Sequence, residues 1–382
     1  MAKNIIICCD GTGNEYKEPF TNVLKLYSML PRAGNKRDRT DQVAYYDPGV
    51  GTFSLPFVFS WMAKAITKVL GLAFGLGITQ NISDAYQFLM ETYEPGDKVY
   101  IFGFSRGAYT ARAVVAMLYK CGLLRPGREN MLPYALKIFK KYESNPRKYI
   151  GFKRTFSRHC PIHFLGLWDT VKSVGWVYDP LTLQFTMRNP TVSVVRHAVA
   201  TDERRCFFRQ NLWGKPYKGQ DVEEVLFAGV HADVGGGYPE NESGLSKIAL
   251  KWMTDEAIKH GLLIDQDAYN LTLRENVSTH LLKKVRSHEN AKIFHCPPDY
   301  KGMMHKSLKG VWWLPEFIPK LYKDTNNNFK EAWKIPLGQR RRIKEGVTVH
   351  ATVVQRLDNE TMNYRPPNLP KNYQVTGTPT VI

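Results

Sequence analysis

A serine flanked by glycines, placed between an apolar run and a helix-forming run, constrains this sequence more than any other feature. Residues 98–102 read Lys-Val-Tyr-Ile-Phe and predict a buried strand, while residues 106–121 predict a helix with Gly122 as its C-cap. Between them stands Gly-Phe-Ser-Arg-Gly, residues 103–107. In this setting the G-x-S-x-G pattern predicts a sharp turn that lifts the serine hydroxyl above a sheet. Ser105 is therefore the predicted nucleophile of a serine hydrolase. The alternative is a Gly-rich turn without chemistry that cradles a phosphate.

Predicted strands and helices alternate along the chain. The strands are expected at residues 4–9, 42–46, 98–104, 163–168 and 222–230, and the helices at 78–93, 106–121, 244–260 and from 350 to 357. Such alternation predicts an α/β fold, α/β-hydrolase-like, in which helices cover both faces of a mostly parallel central sheet. We expect one domain over residues 1–382, with a less regular, basic subdomain at about 274–346.

Partners for the serine are expected at later strand ends, in the chain order serine, acid, histidine. Asp169 directly follows an apolar run and is the predicted acid, with Asp233 as its competitor. His231 also ends an apolar run, and three glycines soon after it permit a loop that approaches closely, so His231 is the predicted base. His350 remains the alternative base, because the triad histidine often lies near the C-terminus.

Backbone N–H groups are the predicted donors to an oxyanion. The N–H of Arg106 directly follows the nucleophile, and the loop after the first strand offers a second donor from Gly11 or Thr12. This loop follows neither the G-x-G-x-x-G nor the Walker pattern, which argues against nucleotide binding. Asp10 is expected either to hydrogen-bond within its loop or to approach a metal together with Asp233. The prediction itself includes no metal and no cofactor.

The net charge of +18 is concentrated in residues 137–158, 283–309 and 330–344. It predicts either an ordinary solvated basic surface or attraction to a polyanion such as an anionic membrane. No zinc-finger spacing or RNA-recognition signature accompanies the charge, so no nucleic-acid partner is expected. The six cysteines form no C-x-x-C pair, and Cys8 and Cys9 are expected to be small core residues of a protein in a reducing compartment.

One apolar segment, residues 55–76, carries only two lysines as charges. It predicts an amphipathic helix that lies on a membrane or acts as a lid, and the alternative is a core helix packed on the sheet. No apolar run is long enough for a spanning helix, and the N-terminus lacks a signal-peptide core. We therefore expect cytoplasmic synthesis without a signal peptide, followed either by export through a dedicated secretion system or by peripheral membrane association.

Several motifs together resemble a known family. They are residues 10–14, 46–51 (Tyr-Asp-Pro-Gly-Val-Gly), 103–108, 168–171 (Trp-Asp-Thr-Val), 231–238 (His-Ala-Asp-Val-Gly-Gly-Gly-Tyr), and His350 with 364–370. In this order they resemble the α/β-hydrolase catalytic domain of the bacterial type VI secretion phospholipase effectors, a domain also found in uncharacterised bacterial and fungal proteins. The likeness runs from about residue 3 to about residue 370.

The resemblance implies a Ser-Asp-His lipid esterase that cleaves acyl chains from glycerophospholipids, with Ser105, Asp169 and His231 as its triad. Toxin-type relatives are often longer, with added membrane-contacting modules, and the sequence does not indicate whether an immunity or chaperone protein binds this chain. Two other hypotheses stay open. One is a soluble esterase that acts on a small acyl or acetylated substrate. The other is a non-catalytic basic module that binds nucleic acid or membrane.

Overall fold

The computed structural model describes residues 2–11, 19–31, 41–49, 77–143, 145–171, 175–176, 179–180, 183–277, 296–323 and 331–380. Thr12 and the predicted membrane or lid segment 55–76 lie outside these residues. So do residues 278–295 and 324–330 of the predicted basic subdomain.

The strands of the central sheet are β1 Asn4–Cys9, β2 Gln42–Asp47, β3 Lys98–Phe104, β4 Ile162–Trp168, β5 Val192–Ala200, β6 Asp221–Phe227, β7 Val347–His350 and β8 Tyr373–Thr376. The helices are α1 Asn22–Ser28, α2 Ile78–Thr92, α3 Arg106–Cys121, α4 Leu132–Lys140, α5 Arg147–Phe156, α6 His231–Gly235, α7 Gly244–Lys259, α8 Gln266–Leu273 and α9 Ala351–Asp358. A separate antiparallel hairpin pairs Lys320–Lys323 with Glu331–Lys334.

Within the described residues, the central sheet has eight strands in the order β8-β7-β6-β5-β4-β3-β1-β2. All neighbouring strands run parallel. The chain starts at β1, places β2 at one edge, returns to the other side of β1 with β3, and then adds each later strand outward. The strand order therefore reverses between β1 and β3, and in such sheets ligands bind at the carboxyl ends beside that reversal. The predicted α/β-hydrolase-like fold with a parallel sheet is confirmed.

Strand β1 shows why helices cover both faces of the sheet. Ile5, Ile7 and Cys9 pack with α2, α3 and α4, whereas Ile6 and Cys8 pack with α1, α7 and α8. Successive side chains of a strand point to opposite faces, so a run that is apolar throughout needs a cover on each side. Both cysteines are fully buried, as expected of small core residues.

Two strands differ from the sequence prediction. β5 was not predicted, because Arg196 and His197 interrupt its apolar run; both are buried in the structure. Glu256 and Asp221 neutralise Arg196, each with an oxygen 2.7 Å from a guanidinium nitrogen. The strand predicted over 222–230 ends at Phe227, because Gly229 turns the backbone with a φ of 111°.

No helix among the residues described above is long and apolar enough to cross a membrane.

Candidate active site

Ser105 stands at the turn between β3 and α3, beside the reversal of strand order. Its φ of 58° lies in the left-handed region, which is unusual for a non-glycine residue and costs about 1–3 kcal/mol. The turn is held by the Ser105 N–H, which donates to the Trp168 carbonyl at 3.0 Å. A Cβ on Gly103 would stand 2.6 Å from the Gly107 carbonyl, and one on Gly107 would stand 2.2 Å from the Cys9 carbonyl. These glycines therefore permit the close approach that the sequence pattern predicted.

The serine hydroxyl lies in a chain of hydrogen bonds with the two predicted partners. Ser105 Oγ is 2.8 Å from His231 Nε2, and His231 Nδ1 is 2.5 Å from Asp169 Oδ2. Because Asp169 is a carboxylate, Nδ1 carries the proton that it donates, which leaves Nε2 to accept from the serine. All three side chains are buried. The structure thus brings together the three residues that the sequence singled out, with the orientation that proton transfer from the serine requires.

The protein backbone fixes Asp169 at the end of β4. Its N–H donates to the Ala198 carbonyl at 2.7 Å, and its Oδ1 accepts from the Ala200 N–H at 2.9 Å. His197 on β5 supports the next residue: its Nε2 accepts from the Thr170 N–H at 3.2 Å, while its Nδ1 lies 2.7 Å from a Glu224 oxygen. The acid is therefore oriented by the neighbouring strand as well as by its own.

Arg341 is a further contact of the acid, and the sequence analysis did not find it. Its guanidinium donates to both carboxylate oxygens of Asp169, at 2.5 Å and 2.9 Å. Burial favours protonation of Asp169, yet the charge of Arg341 and the hydrogen bond from His231 hold its pKa well below the usual range. Arg341 is itself buried, although it belongs to the basic stretch 330–344, which was interpreted as a solvated surface or as a surface that attracts a polyanion.

Aromatic rings and a second carboxylate surround His231. The rings of Phe104 and Phe208 lie with their centroids 4.6 Å and 4.8 Å from the imidazole. Burial lowers the pKa of His231, although the hydrogen bond to Asp169 opposes that shift. Glu203 accepts the backbone N–H of His231 at 3.2 Å and the hydroxyl of Ser307 at 2.8 Å. The surroundings therefore favour a neutral imidazole, the form that can accept a proton.

Glu203 remains ionised in this setting. Burial opposes its ionisation, but Arg205 and Arg341 together with its hydrogen bonds lower its pKa to about 2. No spacing relative to Ser105 or His231 could have identified Glu203, Ser307 or Arg341, because each approaches from a distant part of the sequence.

The loop after β1 is anchored by Asp10. One carboxylate oxygen accepts from the Thr21 hydroxyl at 2.6 Å and the Tyr46 hydroxyl at 2.7 Å, while the other accepts from the Gly11 N–H at 2.6 Å. Asp10 therefore hydrogen-bonds within its loop, which was one of its two predicted roles. The Gly11 N–H, one of the predicted oxyanion donors, therefore donates to Asp10 in this structure. Arg106 begins α3, where the helix end carries partial positive charge.

Asp233 and His350 lie in other contacts. Asp233 accepts from the Val230 N–H and lies 2.6 Å from the ring of His305, so Asp169 and not Asp233 contacts His231. His350 precedes α9, where its Nδ1 lies 2.9 Å from the Thr352 hydroxyl and its ring stacks on Phe227. Burial lowers its pKa to about 4. The alternative histidine therefore belongs to the packing of the C-terminal strands. Within the ranges described above, no group of His, Cys, Asp and Glu could hold a metal ion.

A parallel sheet with a hydrogen-bonded serine, histidine and aspartate at its carboxyl edge defines an α/β-hydrolase-like protein. The family model described as "T6SS, Phospholipase effector Tle1-like, catalytic domain" matches residues 3–256. The chain therefore belongs to this family. Arg341 and Ser307 lie beyond the matched residues.

One curated relative is "Uncharacterized protein YEL023C" of Saccharomyces cerevisiae (strain ATCC 204508 / S288c), 41% identical over 224 residues. The match covers 54% of this chain and 32% of the yeast protein, so the chain spans about a third of that relative's length.

Two solved structures are also similar. The crystal structure of an uncharacterized protein from Pseudomonas aeruginosa has 21% identity and a TM-score of 0.43, covering 73% of this chain and 49% of that one. The Tle1 effector bound to the VgrG spike from the Type 6 secretion system has 14% identity and a TM-score of 0.46, covering 89% of this chain and 93% of that one. Likeness at this level adds nothing to the family assignment.

Proposed function

We propose that this chain is a serine ester hydrolase that cleaves carboxylic ester bonds of phospholipids. Ser105 is the nucleophile, His231 the base and Asp169 the acid that orients it. The observation that carries the proposal is the chain of hydrogen bonds from Ser105 through His231 to Asp169, at 2.8 Å and 2.5 Å, at a strained strand-to-helix turn. Membership of the Tle1-like phospholipase effector family supports a lipid ester as the substrate.

The reaction proceeds in two acyl transfers. Ser105 Oγ attacks the ester carbonyl carbon while His231 Nε2 takes its proton, and the carbonyl oxygen becomes an oxyanion. His231 then gives that proton to the oxygen of the leaving lysolipid, which breaks the ester bond and leaves an acyl-serine. Water then attacks the acyl carbon while His231 Nε2 takes its proton, and His231 returns that proton to Ser105 Oγ as the bond between Oγ and the acyl carbon breaks. The products are a free fatty acid and the restored serine.

Stabilisation of charge in these steps follows from the positions of Asp169 and α3. Asp169 holds the imidazole tautomer and attracts the imidazolium that forms when His231 accepts the proton. The oxyanion forms beside the first turn of α3, where we assign the Arg106 N–H as a donor. For the second donor, the N–H of Gly11 or of Thr12 stays the prediction made from the sequence, and Thr12 lies outside the described residues.

Purified chain incubated with vesicles of mixed phospholipids, with products identified by mass spectrometry, tests the proposal. We expect release of fatty acid together with lysolipid. The Ser105→Ala variant should lose at least about 10⁴-fold of this activity, because the nucleophile is absent. A fluorophosphonate probe should label the chain at Ser105 but leave the alanine variant unlabelled.

The outcomes test the phospholipid substrate and the serine mechanism independently. If the probe labels Ser105 and a short-chain nitrophenyl ester is hydrolysed, but vesicles release neither fatty acid nor lysolipid, the phospholipid substrate is wrong and the small-ester hypothesis replaces it. If Ser105→Ala is labelled and hydrolyses esters like the parent, the serine mechanism is wrong.

A further inference from the structure

Exposed apolar side chains are concentrated in one short stretch of the chain. Among the described residues, half of the large apolar side chains that are exposed fall between positions 311 and 337: Val311, Trp313, Leu314, Phe317, Ile318, Trp333, Ile335 and Leu337. Scattered exposed apolar residues are normal, whereas a contiguous apolar patch marks a surface that binds something. We name these eight residues the apolar patch.

The two parts of the patch, residues 311–318 and 333–337, meet in space. The rings of Trp313 and Phe317 lie 6.4 Å apart. The Leu337 N–H donates to the Glu316 carbonyl at 3.1 Å, which brings the end of the hairpin against the turn that carries Phe317. In the antiparallel hairpin Lys320, the first residue of one strand, pairs with Lys334, the last residue of the other. Ile318, just before the first strand, and Ile335, just after the second, are therefore near neighbours.

Buried contacts hold this stretch in place. Glu316 is fully buried, and its carboxylate accepts from the Cys206 N–H at 2.6 Å and the Gly338 N–H at 2.9 Å. Pro315, next to it, is buried as well. The buried contacts of Glu316 and Pro315 fix the backbone between Leu314 and Phe317, so these two side chains are held at the surface.

Positive charge lies close to the patch along the chain. Residues 301–344 contain eleven Lys and Arg but three Asp and Glu, and of these Arg341 is buried against Asp169. Lys306, Lys309, Lys334 and Arg342 are exposed, while Glu316 is buried. An apolar surface with a basic rim is complementary to a bilayer that carries anionic head groups, because the rim meets the phosphates and the apolar side chains enter the acyl boundary.

The patch also lies close to the candidate active site. The ring of Trp312, within the same turn, packs edge-on against Phe208 with centroids 5.5 Å apart, and Phe208 packs against His231 at 4.8 Å. Two aromatic rings therefore separate this turn from the imidazole. A membrane seated on the patch lies beside the site that would cleave its lipids.

We propose that the apolar patch and its basic rim form the surface on which this chain docks onto an anionic phospholipid bilayer. The inference rests on the proposed function for its choice of a lipid partner. It assigns the docking role to residues 311–318 and 333–337, whereas the sequence had offered the segment 55–76 as a membrane helix or lid, with a core helix as the alternative.

Sedimentation or flotation with vesicles tests the docking in the full chain carrying Ser105→Ala, so that no lipid is consumed. We expect this parent to bind phosphatidylcholine vesicles that contain phosphatidylglycerol more tightly than pure phosphatidylcholine vesicles, and to lose that preference as salt is raised. Equal binding to both vesicle types, or no binding to either, overturns the proposal.

A matched pair of variants locates the surface. Leu314→Glu with Phe317→Glu, at side chains 64% and 59% exposed, should weaken binding at least about tenfold, because two apolar contacts are replaced by charges that the bilayer repels. Tyr134→Glu with Tyr142→Glu, at side chains 61% and 74% exposed on and after α4, adds the same charge elsewhere and should retain most of the binding. Equal losses in both variants overturn the location.

A milder change, Leu314→Ser, should weaken binding in the same direction and is the measurement to use if the double glutamate variant does not fold. Gel filtration adds one more outcome: if the parent is a dimer that Leu314→Glu with Phe317→Glu dissociates, and neither binds vesicles, the patch joins two copies of the chain and the bilayer proposal is wrong. Vesicle binding by a chain that hydrolyses no ester contradicts the proposed function alone. Ester hydrolysis by a chain that binds no vesicle contradicts the docking alone.

Discussion

Two histidine–aspartate pairs lie side by side in this molecule, and both use helix α6. His231 opens the helix and faces Asp169 with Nδ1 at 2.5 Å, while Asp233, two residues later, faces Nδ1 of His305 at 2.6 Å. The pairs differ at the other ring nitrogen. Nε2 of His231 lies 2.8 Å from the Ser105 hydroxyl, whereas Nε2 of His305 lies 2.9 Å from a Glu242 carboxylate.

The pKa values of the two histidines move in opposite directions for this reason. Burial lowers the pKa of His231, while the hydrogen bonds from His305 to Asp233 and Glu242 raise the pKa of His305 against the effect of its burial. Since both nitrogens of His305 face carboxylates, the doubly protonated ring is the form that can donate to both. An aspartate on Nδ1 therefore does not by itself make a histidine a base. The group that faces Nε2 and the burial of the ring decide whether the imidazole is neutral enough to accept a proton.

The largest expected difference between the pairs is catalytic. His231→Gln should lower kcat/KM for ester hydrolysis by about 10⁴-fold or more, because no group remains to take the serine proton. His305→Gln should leave it within about fivefold of the parent, because His305 contacts none of the groups that react. Initial rates with a short-chain nitrophenyl ester measure both.

If both variants fold, as judged by circular dichroism, and lose activity to a similar extent, then His305 also takes part in catalysis and His231 is not the only histidine that the reaction needs. Retained activity in His231→Gln would contradict the assignment of the base directly.

The sequence predicted the three triad residues, but it did not predict the buried charged residues, such as Arg341, that surround and orient them. Ser105, Asp169 and His231 were identifiable because each follows an apolar run, and the carboxyl ends of parallel strands meet at one edge of the sheet. Asp233 looked equally suitable by that criterion. Its actual partner, His305, lies 72 residues away, so only the folded chain distinguishes the two acids.

Buried charge accounts for most of what the sequence did not reveal. Strand β5 was missed because Arg196 looks like a surface residue until Glu256 is placed beside it. Arg341 was missed for the same reason: within three consecutive arginines nothing marks the middle one as buried. Hydrophobic periodicity predicts where apolar side chains go, but a charged residue is buried only when a distant partner neutralises it.

Arg341 provides the second test of this difference, because it contacts Asp169 of the first pair and is not part of the pair of Asp233 and His305. Arg341→Ala should lower kcat/KM about 10- to 100-fold by releasing the orientation of Asp169. It should also move the acidic limb of the pH profile to higher pH. Without the neighbouring positive charge, the Asp169 carboxylate attracts the imidazolium more strongly, so the pKa of His231 rises. The measurement is kcat/KM against pH.

Two variants sharpen this result. Arg341→Lys keeps the charge but loses the paired hydrogen bonds, so activity should fall partway while the acidic limb stays in place. Arg342→Ala changes an exposed neighbour and should alter neither quantity on the soluble nitrophenyl ester, where membrane docking plays no part. A lower rate in Arg341→Ala with an unmoved limb means that Arg341 supports the fold only.

The third difference concerns stability rather than rate. The pKa of His305 is higher in the folded chain than in the unfolded chain, so its stabilisation is fully present below the unfolded value of about 6.5 and is lost as pH rises through the folded pKa. His305→Gln should therefore lower the free energy of unfolding by about 1–2 kcal/mol near pH 6, and by less at alkaline pH. Denaturant unfolding at a series of pH values measures this, and a loss that grows with pH contradicts the cationic assignment.

The smallest expected effect on stability comes from Glu242. This carboxylate faces Nε2 of His305, whereas the Ser105 hydroxyl faces Nε2 of His231. Its side chain is partly exposed, so Glu242→Gln should cost only about 0.5 kcal/mol near pH 6. With one of the two carboxylates neutral, the pKa of His305 should fall, and the pH at which its stabilisation disappears should fall with it. The same substitution in a His305→Gln chain should have almost no effect, because the two residues then share no charge interaction to lose. Unfolding curves of the four chains in this cycle give the coupling between Glu242 and His305. If the coupling is absent, Asp233 alone sets the charge of His305, and the Nε2 partner is not what separates the two pairs.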